Sequence, residues 1–224
     1  MKPYIFCFLL FMIIASCGKK ETIVITKDNV KETLLKYGKE NPETQVEIKT
    51  SLGVIKLRLF EETPLHRANF IKNIKDGYYN DAEFYRVVYE FMIQGGDTHK
   101  SLPYRVPPEF RPELFHKKGT LAMARTDNPE MESSSTEFYI IQGRRYADWE
   151  IDEEARNAGI TLSPEQRQAY LTIGGDMSLD QKYTVFGEVV EGLDIVDTIA
   201  KSKVYNERPN EKVPFEITAI KVSK

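Results

Sequence analysis

Residues 83–97 read EFYRVVYEFMIQGGD and place a single arginine inside a β-rich run. The aromatic and β-branched residues at the start of this stretch predict a half-buried β-strand. An unpaired charge is costly to bury, so we expect Arg86 to lie at the rim of an apolar surface, in an ion pair or against a ligand. Phe91, Met92 and Gln94 follow closely enough to line the same concavity. This combination indicates a site that binds an apolar group bearing a carbonyl.

The order and spacing of these residues resemble the signature of the cyclophilin family of peptidyl-prolyl isomerases, which runs F-H-R-V followed by F-M-I-Q-G-G-D. This chain has FYRV at 84–87 and FMIQGGD at 91–97, so within the signature only Tyr85 departs. Three further segments are similar to family motifs: GTLAMA at 119–124, FYI at 138–140 and LDQKYTVFG at 179–187. A long match of mixed residue types is more specific than a short glycine motif.

The chain outside this stretch predicts a mainly β fold. Apolar and charged residues alternate over 46–59, which predicts a β-hairpin with one wet face, and Thr63 followed by Pro64 is typical of a helix start. Many short strands accompanied by two helices indicate a closed antiparallel barrel. The family resemblance implies that the barrel has eight strands and is capped by two α-helices.

The resemblance also implies an activity, the cis-trans isomerisation of X-Pro bonds. Rotation about such a bond requires a dry pocket for the proline ring and a fixed donor for the twisted amide, without a nucleophile, metal or cofactor. By resemblance, Arg86 and Gln94 are the catalytic residues. The implied substrate-binding residues are Phe91, Met92, Ala124, Arg125, Glu137, Phe138, Tyr139, Leu179 and Tyr183.

Several positions depart from the family pattern. Glu137 replaces a Gln and could pair with Arg86, Tyr139 replaces a Phe, and Tyr183 replaces a His. Ser178 stands where many members carry the Trp that binds cyclosporin, so we expect low sensitivity to that drug. These departures leave open an alternative, a module that binds proline-containing segments without turnover.

The first residues indicate export. Lys2 precedes an apolar run at 4–15, which is too short for the roughly 20 residues of a membrane span and typical of a signal peptide. The segment IASCG at 14–18 resembles the bacterial lipobox, which implies cleavage before Cys17 and its lipidation. We therefore predict a signal peptide at 1–16, a lipidated tether with a short helix at 17–44 and a cyclophilin-like domain at 45–224. The expected location is a bacterial cell envelope, lipid-anchored and facing the periplasm; an unmodified secreted Cys17 is the alternative.

Residues 144–177 exceed the length that family members have at this point and predict a helical insertion. Asp148 can cap a first helix that ends at Gly159, and SPEQ at 163–166 is a capping box that begins a second. We expect a helical hairpin beside the pocket. It is either a tolerated surface excursion or a surface that selects substrates or partners.

Charge and residue spacing argue against other function classes. The formal net charge of −3 gives no general attraction to nucleic acid. His66, His99 and His116 lack the spacing of metal ligands. The serines at 133–135 lack a nucleophile frame and an adjacent base, so we expect a loop there and rank a hydrolase last. The expected partners are proline-containing polypeptides and, through Cys17, a membrane; we expect a monomer.

Overall fold

The predicted hairpin is present as β1 (Gln45–Thr50) and β2 (Gly53–Leu59). The computed structural model describes residues 24–100 and 102–220, so Cys17 and the predicted signal peptide lie outside the described residues. The remaining strands of the main sheet are β3 (Phe84–Val88), β4 (Met92–Gly95), β5 (Thr120–Met123), β6 (Phe138–Ile141), β7 (Val185–Glu191) and β10 (Phe215–Ile220).

These strands form one eight-stranded sheet in the order β10-β1-β2-β7-β5-β6-β4-β3, and every pairing is antiparallel. The predicted mainly β, eight-stranded fold is confirmed. The predicted closure is not complete, because the edge strands β10 and β3 meet only near the isolated bridge between Glu83 and Pro214. Further along β3, a hairpin of β8 (Val204–Tyr205) and β9 (Arg208–Pro209) occupies the edge, where the backbone N–H of Val87 donates to the carbonyl of Glu207 at 2.7 Å. The sheet is therefore a strongly curled half-barrel.

The interior of the half-barrel holds the main core. Phe70, Phe138 and Phe186 are fully buried there, with the ring centroids of Phe138 and Phe186 each 5.2 Å from that of Phe70. The core is covered by α2 (Pro64–Lys75) and α5 (Leu193–Ala200), which correspond to the two predicted helices.

The start of α2 differs from the prediction in one respect. The helix begins at Pro64 as expected, but the side chain of Thr63 makes no capping hydrogen bond. The carboxylate of Glu109 instead accepts from the backbone N–H groups of Leu65 and His66, at 3.1 and 3.0 Å. An acid from a distant loop thus satisfies the free donors of the first turn.

The short helix predicted within residues 17–44 corresponds to α1 (Val30–Glu40), which packs on α2 through a second apolar cluster that includes Val30, Leu34, Leu65 and Ala68. In the part of the chain that the structure describes, no helix has the length and apolar character required to cross a membrane.

The insertion forms the predicted helical hairpin, α3 (Ile151–Ala158) and α4 (Pro164–Thr172). The capping box between Ser163 and Gln166 is present, and Gly159 ends α3 with a φ of 76°. The prediction that Asp148 caps α3 is wrong. Because α3 begins only at Ile151, Asp148 lies too far upstream to reach its first turn, and it pairs instead with Arg167 of α4, with an Nη2–Oδ1 distance of 3.0 Å.

The two inserted helices have their own core. It consists of Phe115, Tyr146, Ile151, Ala155, Ala158, Tyr170 and Met177. Phe115 precedes β5 and Met177 belongs to a 3₁₀ turn at Met177–Leu179, so the hairpin packs against segments that border the pocket.

Candidate active site

The register of three strands builds one pocket. Arg86 of β3 lies opposite Gln94 of β4, and Gln94 lies opposite Tyr139 of β6. The pocket encloses about 220 Å³. Ten of the eleven residues predicted for catalysis and binding line it: Arg86, Phe91, Met92, Gln94, Ala124, Arg125, Glu137, Tyr139, Leu179 and Tyr183. Thr126 and Ser134, which the sequence interpretation missed, complete the wall.

Phe138 is the exception. Its side chain is fully buried in the core of the half-barrel and does not line the pocket. Successive side chains of a strand point to opposite faces, so Phe138 and Tyr139 cannot both face the same cavity. Tyr139 faces the pocket, and the prediction for Phe138 is corrected to a core residue.

Arg86 is held from two sides. Its Nη1 donates to Oε1 of Gln94 at 3.3 Å, and its Nε donates to Oε2 of Glu207 at 2.6 Å. The guanidinium carbon lies 6.0 Å from the ring centroid of Phe91. The sequence suggests that Glu137 could pair with Arg86, but the partner is Glu207, which belongs to a hairpin 121 residues away and was missed.

Glu137 is engaged by other donors. The hydroxyl of Tyr85 donates to Glu137 Oε2 at 2.5 Å, and Nε2 of Gln94 donates to the same oxygen at 3.2 Å. Burial raises the pKa of Tyr85, and the Glu137 carboxylate raises it further, so the hydroxyl keeps its proton and remains a donor. The amide of Gln94 therefore accepts from Arg86 on one side and donates towards Glu137 on the other.

The floor of the pocket is apolar. Met92 and Tyr139 are buried beneath it, and Phe91, Leu179 and Tyr183 are partly exposed around it. The guanidinium carbon of Arg125 lies 4.9 Å from the ring centroid of Tyr183, so this cation stacks along one wall. Such a space suits a small apolar ring with polar groups at its edge.

The hydroxyl of Tyr139 continues into a buried chain of hydrogen bonds. Tyr139 Oη lies 3.1 Å from His116 Nε2, and His116 Nδ1 lies 2.9 Å from Asp180 Oδ1. Tyr170 of α4 donates to the other oxygen of Asp180 at 2.6 Å. Burial raises the pKa of Tyr139, which keeps its hydroxyl protonated. The chain links the inserted hairpin to the floor of the pocket, and nothing in the local sequence pattern predicted it.

In the loop that contains the serines at 133–135, one hydroxyl lies beside a histidine that could act as a base. Ser133 Oγ lies 3.0 Å from His66 Nε2, and His66 Nδ1 lies 2.7 Å from Glu109 Oε2. The statement that no base accompanies these serines is therefore wrong. Ser133 is only 2% exposed and does not line the pocket, so a substrate cannot reach its hydroxyl. The three side chains join the start of α2 to two loops.

The structure also shows the surroundings of the three histidines and of Ser178. His66 and His116 are buried and hydrogen-bonded through both ring nitrogens, whereas His99 is exposed. Within residues 24–100 and 102–220, no group of three His, Cys, Asp or Glu side chains is arranged to hold a metal ion. Ser178 is exposed on the 3₁₀ turn, and low cyclosporin sensitivity stays a prediction.

A second cavity of about 350 Å³ adjoins the pocket and shares Thr126, Ser134 and Glu137 with it. Its other walls are largely polar, with contributions from His99 and Arg105. The two cavities therefore have one wall in common.

Comparison with known proteins agrees with this geometry. Residues 45–222 match the family described as cyclophilin type peptidyl-prolyl cis-trans isomerase/CLD. The chain belongs to the cyclophilin family. A peptidyl-prolyl cis-trans isomerase of Acinetobacter baylyi is 32% identical over 188 residues, which cover 80% of this chain and 85% of that protein. The fold of this cyclophilin is similar to that of a cyclophilin-type isomerase of Cryptosporidium parvum solved in the presence of the dipeptide Ala-Pro, with a TM-score of 0.60, 22% identity and coverage of 80% of this chain and 99% of the other.

The family membership makes this cyclophilin a peptidyl-prolyl cis-trans isomerase. Its pocket combines the family's Arg, Phe, Met and Gln with a different polar rim, in which Tyr85 and Glu137 contact each other and Glu207 holds the arginine.

Proposed function

We propose that this cyclophilin isomerises X-Pro bonds in exported polypeptides, with Arg86 as the donor that stabilises the twisted amide. One observation carries this role: Arg86 is held by Gln94 at the edge of an apolar pocket of about 220 Å³. A proline ring on the floor formed by Met92, Leu179 and Tyr139 would bring its amide bond to the guanidinium.

The chemistry requires only a stabilised rotation. The amide barrier of about 18–20 kcal/mol arises because rotation removes resonance between nitrogen and carbonyl. In the twisted state the nitrogen is pyramidal and accepts a hydrogen bond that the planar amide cannot accept. A guanidinium presents several N–H groups in a rigid, positively charged fork, so Arg86 can donate preferentially to the twisted state.

The required magnitude is compatible with this arrangement. An acceleration of about 10⁵ corresponds to about 7 kcal/mol of preferential stabilisation of the transition state. A single donor in a preorganised site contributes about 10²–10³ in rate, and desolvation in the apolar pocket strengthens each interaction. Several aligned interactions, rather than Arg86 alone, are therefore needed.

The test compares wild-type protein with Arg86→Ala and Arg86→Lys in a protease-coupled proline-peptide assay. We expect Arg86→Ala to lose about 100-fold or more in kcat/KM, and Arg86→Lys to recover only part of it because it lacks the planar fork. The control is Arg156→Ala, which removes an exposed arginine of α3 that lies outside the pocket. An Arg86→Ala variant with full activity would refute the mechanism.

A second measurement, combined with this assay, separates the isomerase from a binding module. Titration of the wild-type protein with the proline peptide by NMR measures binding independently of turnover. Binding with acceleration supports the proposal. Binding without any acceleration would identify a protein that holds proline-containing segments, which the substituted positions Glu137, Tyr139 and Tyr183 would then explain.

Lipid anchoring through Cys17 is the second part of the proposal. Its support is the sequence: Lys2, the apolar run at 4–15 and the lipobox-like IASCG at 14–18. Substrates would then be polypeptides crossing the envelope, whose folding can be limited by slow proline isomerisation.

Labelling with a fatty acid during bacterial expression of the full chain tests this anchor. We expect label on the wild-type protein and on Cys7→Ser, because Cys7 would leave with the signal peptide, but not on Cys17→Ser. A wild-type chain without label would contradict lipidation.

A further inference from the structure

A short hairpin stands over the catalytic strand. It consists of β8 (Val204–Tyr205) and β9 (Arg208–Pro209), joined by Asn206 and Glu207. Both turn residues have positive φ values, 48° for Asn206 and 63° for Glu207. A two-residue hairpin turn of this kind favours Asn and Gly at its two central positions. Asn206 fits this preference, whereas Glu207 occupies the position where glycine is the most favourable residue.

The hairpin contacts three successive residues of β3. The ring of Tyr85 lies 6.0 Å from the guanidinium carbon of Arg208. The side chain of Arg86 pairs with the carboxylate of Glu207, and the backbone N–H of Val87 donates to the carbonyl of Glu207 at 2.7 Å. The backbone hydrogen bond fixes the tip of the hairpin beside Arg86 and thereby places the Glu207 carboxylate next to the guanidinium.

We infer that Glu207 is a positioning residue of the active site, which holds the guanidinium of Arg86 in the orientation that the reaction needs. The inference rests on the proposed role of Arg86. Glu207 binds Nε and Gln94 binds Nη1, so the guanidinium is fixed on two edges and its remaining N–H groups, on Nη1 and Nη2, stay available to a substrate.

Preorganisation is the physical benefit of this contact. A free arginine side chain has many rotamers, and ordering it during each catalytic cycle would weaken the transition-state interaction. Glu207 orders Arg86 before the substrate arrives. The pair is partly exposed, at 36% and 52% of the two side chains, so its contribution is modest rather than decisive.

The unfavourable backbone of Glu207 supports a functional role. A non-glycine residue at positive φ is strained, and such strain persists where surrounding contacts determine it. Glycine at 207 would relieve the strain and remove the carboxylate. A purely structural role for Glu207 would make its replacement lower stability and activity together, whereas a positioning role separates the two effects.

The experiment measures exchange of a proline peptide by NMR at saturating peptide, together with the urea midpoint. We expect Glu207→Ala to lower kcat about five-fold with little change in peptide affinity, equivalent to about 1 kcal/mol. Glu207→Gln keeps an oxygen acceptor for Nε and should recover at least half of the activity. Glu207→Gly should lower kcat as Glu207→Ala does while raising the urea midpoint.

The matched control is Glu211→Ala, which removes an exposed acid two residues after β9 that has no ion pair with another described residue. Adding Glu207→Ala to Arg86→Ala should cause no further loss, because the partner is already absent. The Nε–H resonance of Arg86 should be resolved in wild type and lost in Glu207→Ala.

The outcomes distinguish this inference from the isomerase proposal. In an active wild type, a Glu207→Ala variant as fast as Glu211→Ala would overturn the inference, and so would a fully active Glu207→Gly. An inactive wild type would refute the proposed function instead. In that case the Arg86 Nε–H resonance still tests the contact between Glu207 and Arg86. Its persistence in Glu207→Ala would overturn the inference.

Discussion

Two residues that depart from the cyclophilin signature contact each other. Tyr85 stands in place of His and Glu137 in place of Gln, and the Tyr85 hydroxyl donates to the Glu137 carboxylate at 2.5 Å. A carboxylate at this half-buried position needs donors, and Tyr85 and Gln94 supply them. The two departures therefore compensate each other. Within the described residues the ion pair of Arg86 is with Glu207 rather than with Glu137.

The buried triad-like arrangement shows that geometry alone does not make a catalytic site. Ser133, His66 and Glu109 have the distances of a nucleophile, a base and an orienting acid. Glu109 is also bound to two backbone N–H groups of α2, and Ser133 has almost no exposed surface. We interpret these residues as a structural hydrogen-bond network that holds two loops against the start of α2, since hydrogen bonds between buried groups fix the positions of segments that lack regular structure.

The inserted hairpin is the element that most distinguishes this chain. A chain of hydrogen bonds connects it to the pocket, running from Tyr170 through Asp180 and His116 to Tyr139. Because Asp180 accepts from both Tyr170 and His116, it fixes Nδ1 of His116 as the donor, and in the neutral imidazole Nε2 then accepts from Tyr139. The insertion thereby helps to hold the floor of the pocket, which favours a role in substrate selection over a mere surface excursion.

A pair of matched variants tests this connection. We expect Tyr170→Phe to raise the KM for a proline peptide about two- to five-fold, because loss of one buried hydrogen bond, worth about 1 kcal/mol, loosens Asp180 and through it Tyr139. Peptide titration by NMR and the exchange rate provide the measurement.

Tyr146→Phe is the control for this prediction. The Tyr146 hydroxyl accepts from the backbone N–H of Met177 at 3.3 Å within the same small core but takes no part in the chain to Tyr139. Both variants should lower stability by a similar amount, and only Tyr170→Phe should alter KM. Equal KM values for the two variants would contradict the connection.

Across the whole molecule, the sequence correctly predicted the elements and contacts that are formed by residues close together in the chain. The contiguous run 83–97 supplied Arg86, Phe91, Met92 and Gln94, because two adjacent strands and their turn bring these residues together. The inserted helices were predictable from the capping box and Gly159. Strand alternation could also have excluded Phe138 from the pocket, so that error was avoidable.

The contacts that sequence could not predict join distant segments. Glu207 reaches Arg86 across 121 residues, and Glu109 reaches α2 across 44. Neither acid belongs to a periodic pattern, and a two-residue hairpin carries too few residues to show one. The incomplete closure of the barrel has the same origin, since it depends on which segment occupies the free edge of β3.

Three ion pairs bear on how the stability of the whole molecule responds to acid. Hydrogen bonding and the charge of Arg86 lower the pKa of Glu207, and Arg144 does the same for Glu150. Burial raises the pKa of Glu188, but its contacts with Arg58 and Lys117 outweigh this and leave the pKa below its ordinary value. Because each folded pKa lies below the unfolded value of about 4.5, the folded state binds fewer protons than the unfolded state in this range.

We therefore expect the urea midpoint to be nearly constant from about pH 7 to about pH 5.5 and to fall as the pH drops below about 4.5, through the folded pKa values. The triple variant Glu150→Gln, Glu188→Gln and Glu207→Gln should lose less stability over this range, since its ion pairs are already absent at neutral pH. The control Glu130→Gln, Glu153→Gln and Glu211→Gln changes the net charge equally but removes exposed acids without an ion pair to another described residue. Only the first triple variant should flatten the acid response, because only the paired carboxylates stabilise the folded state when they are ionised. An equal effect of both triple variants would show that net charge, rather than these three ion pairs, governs the response.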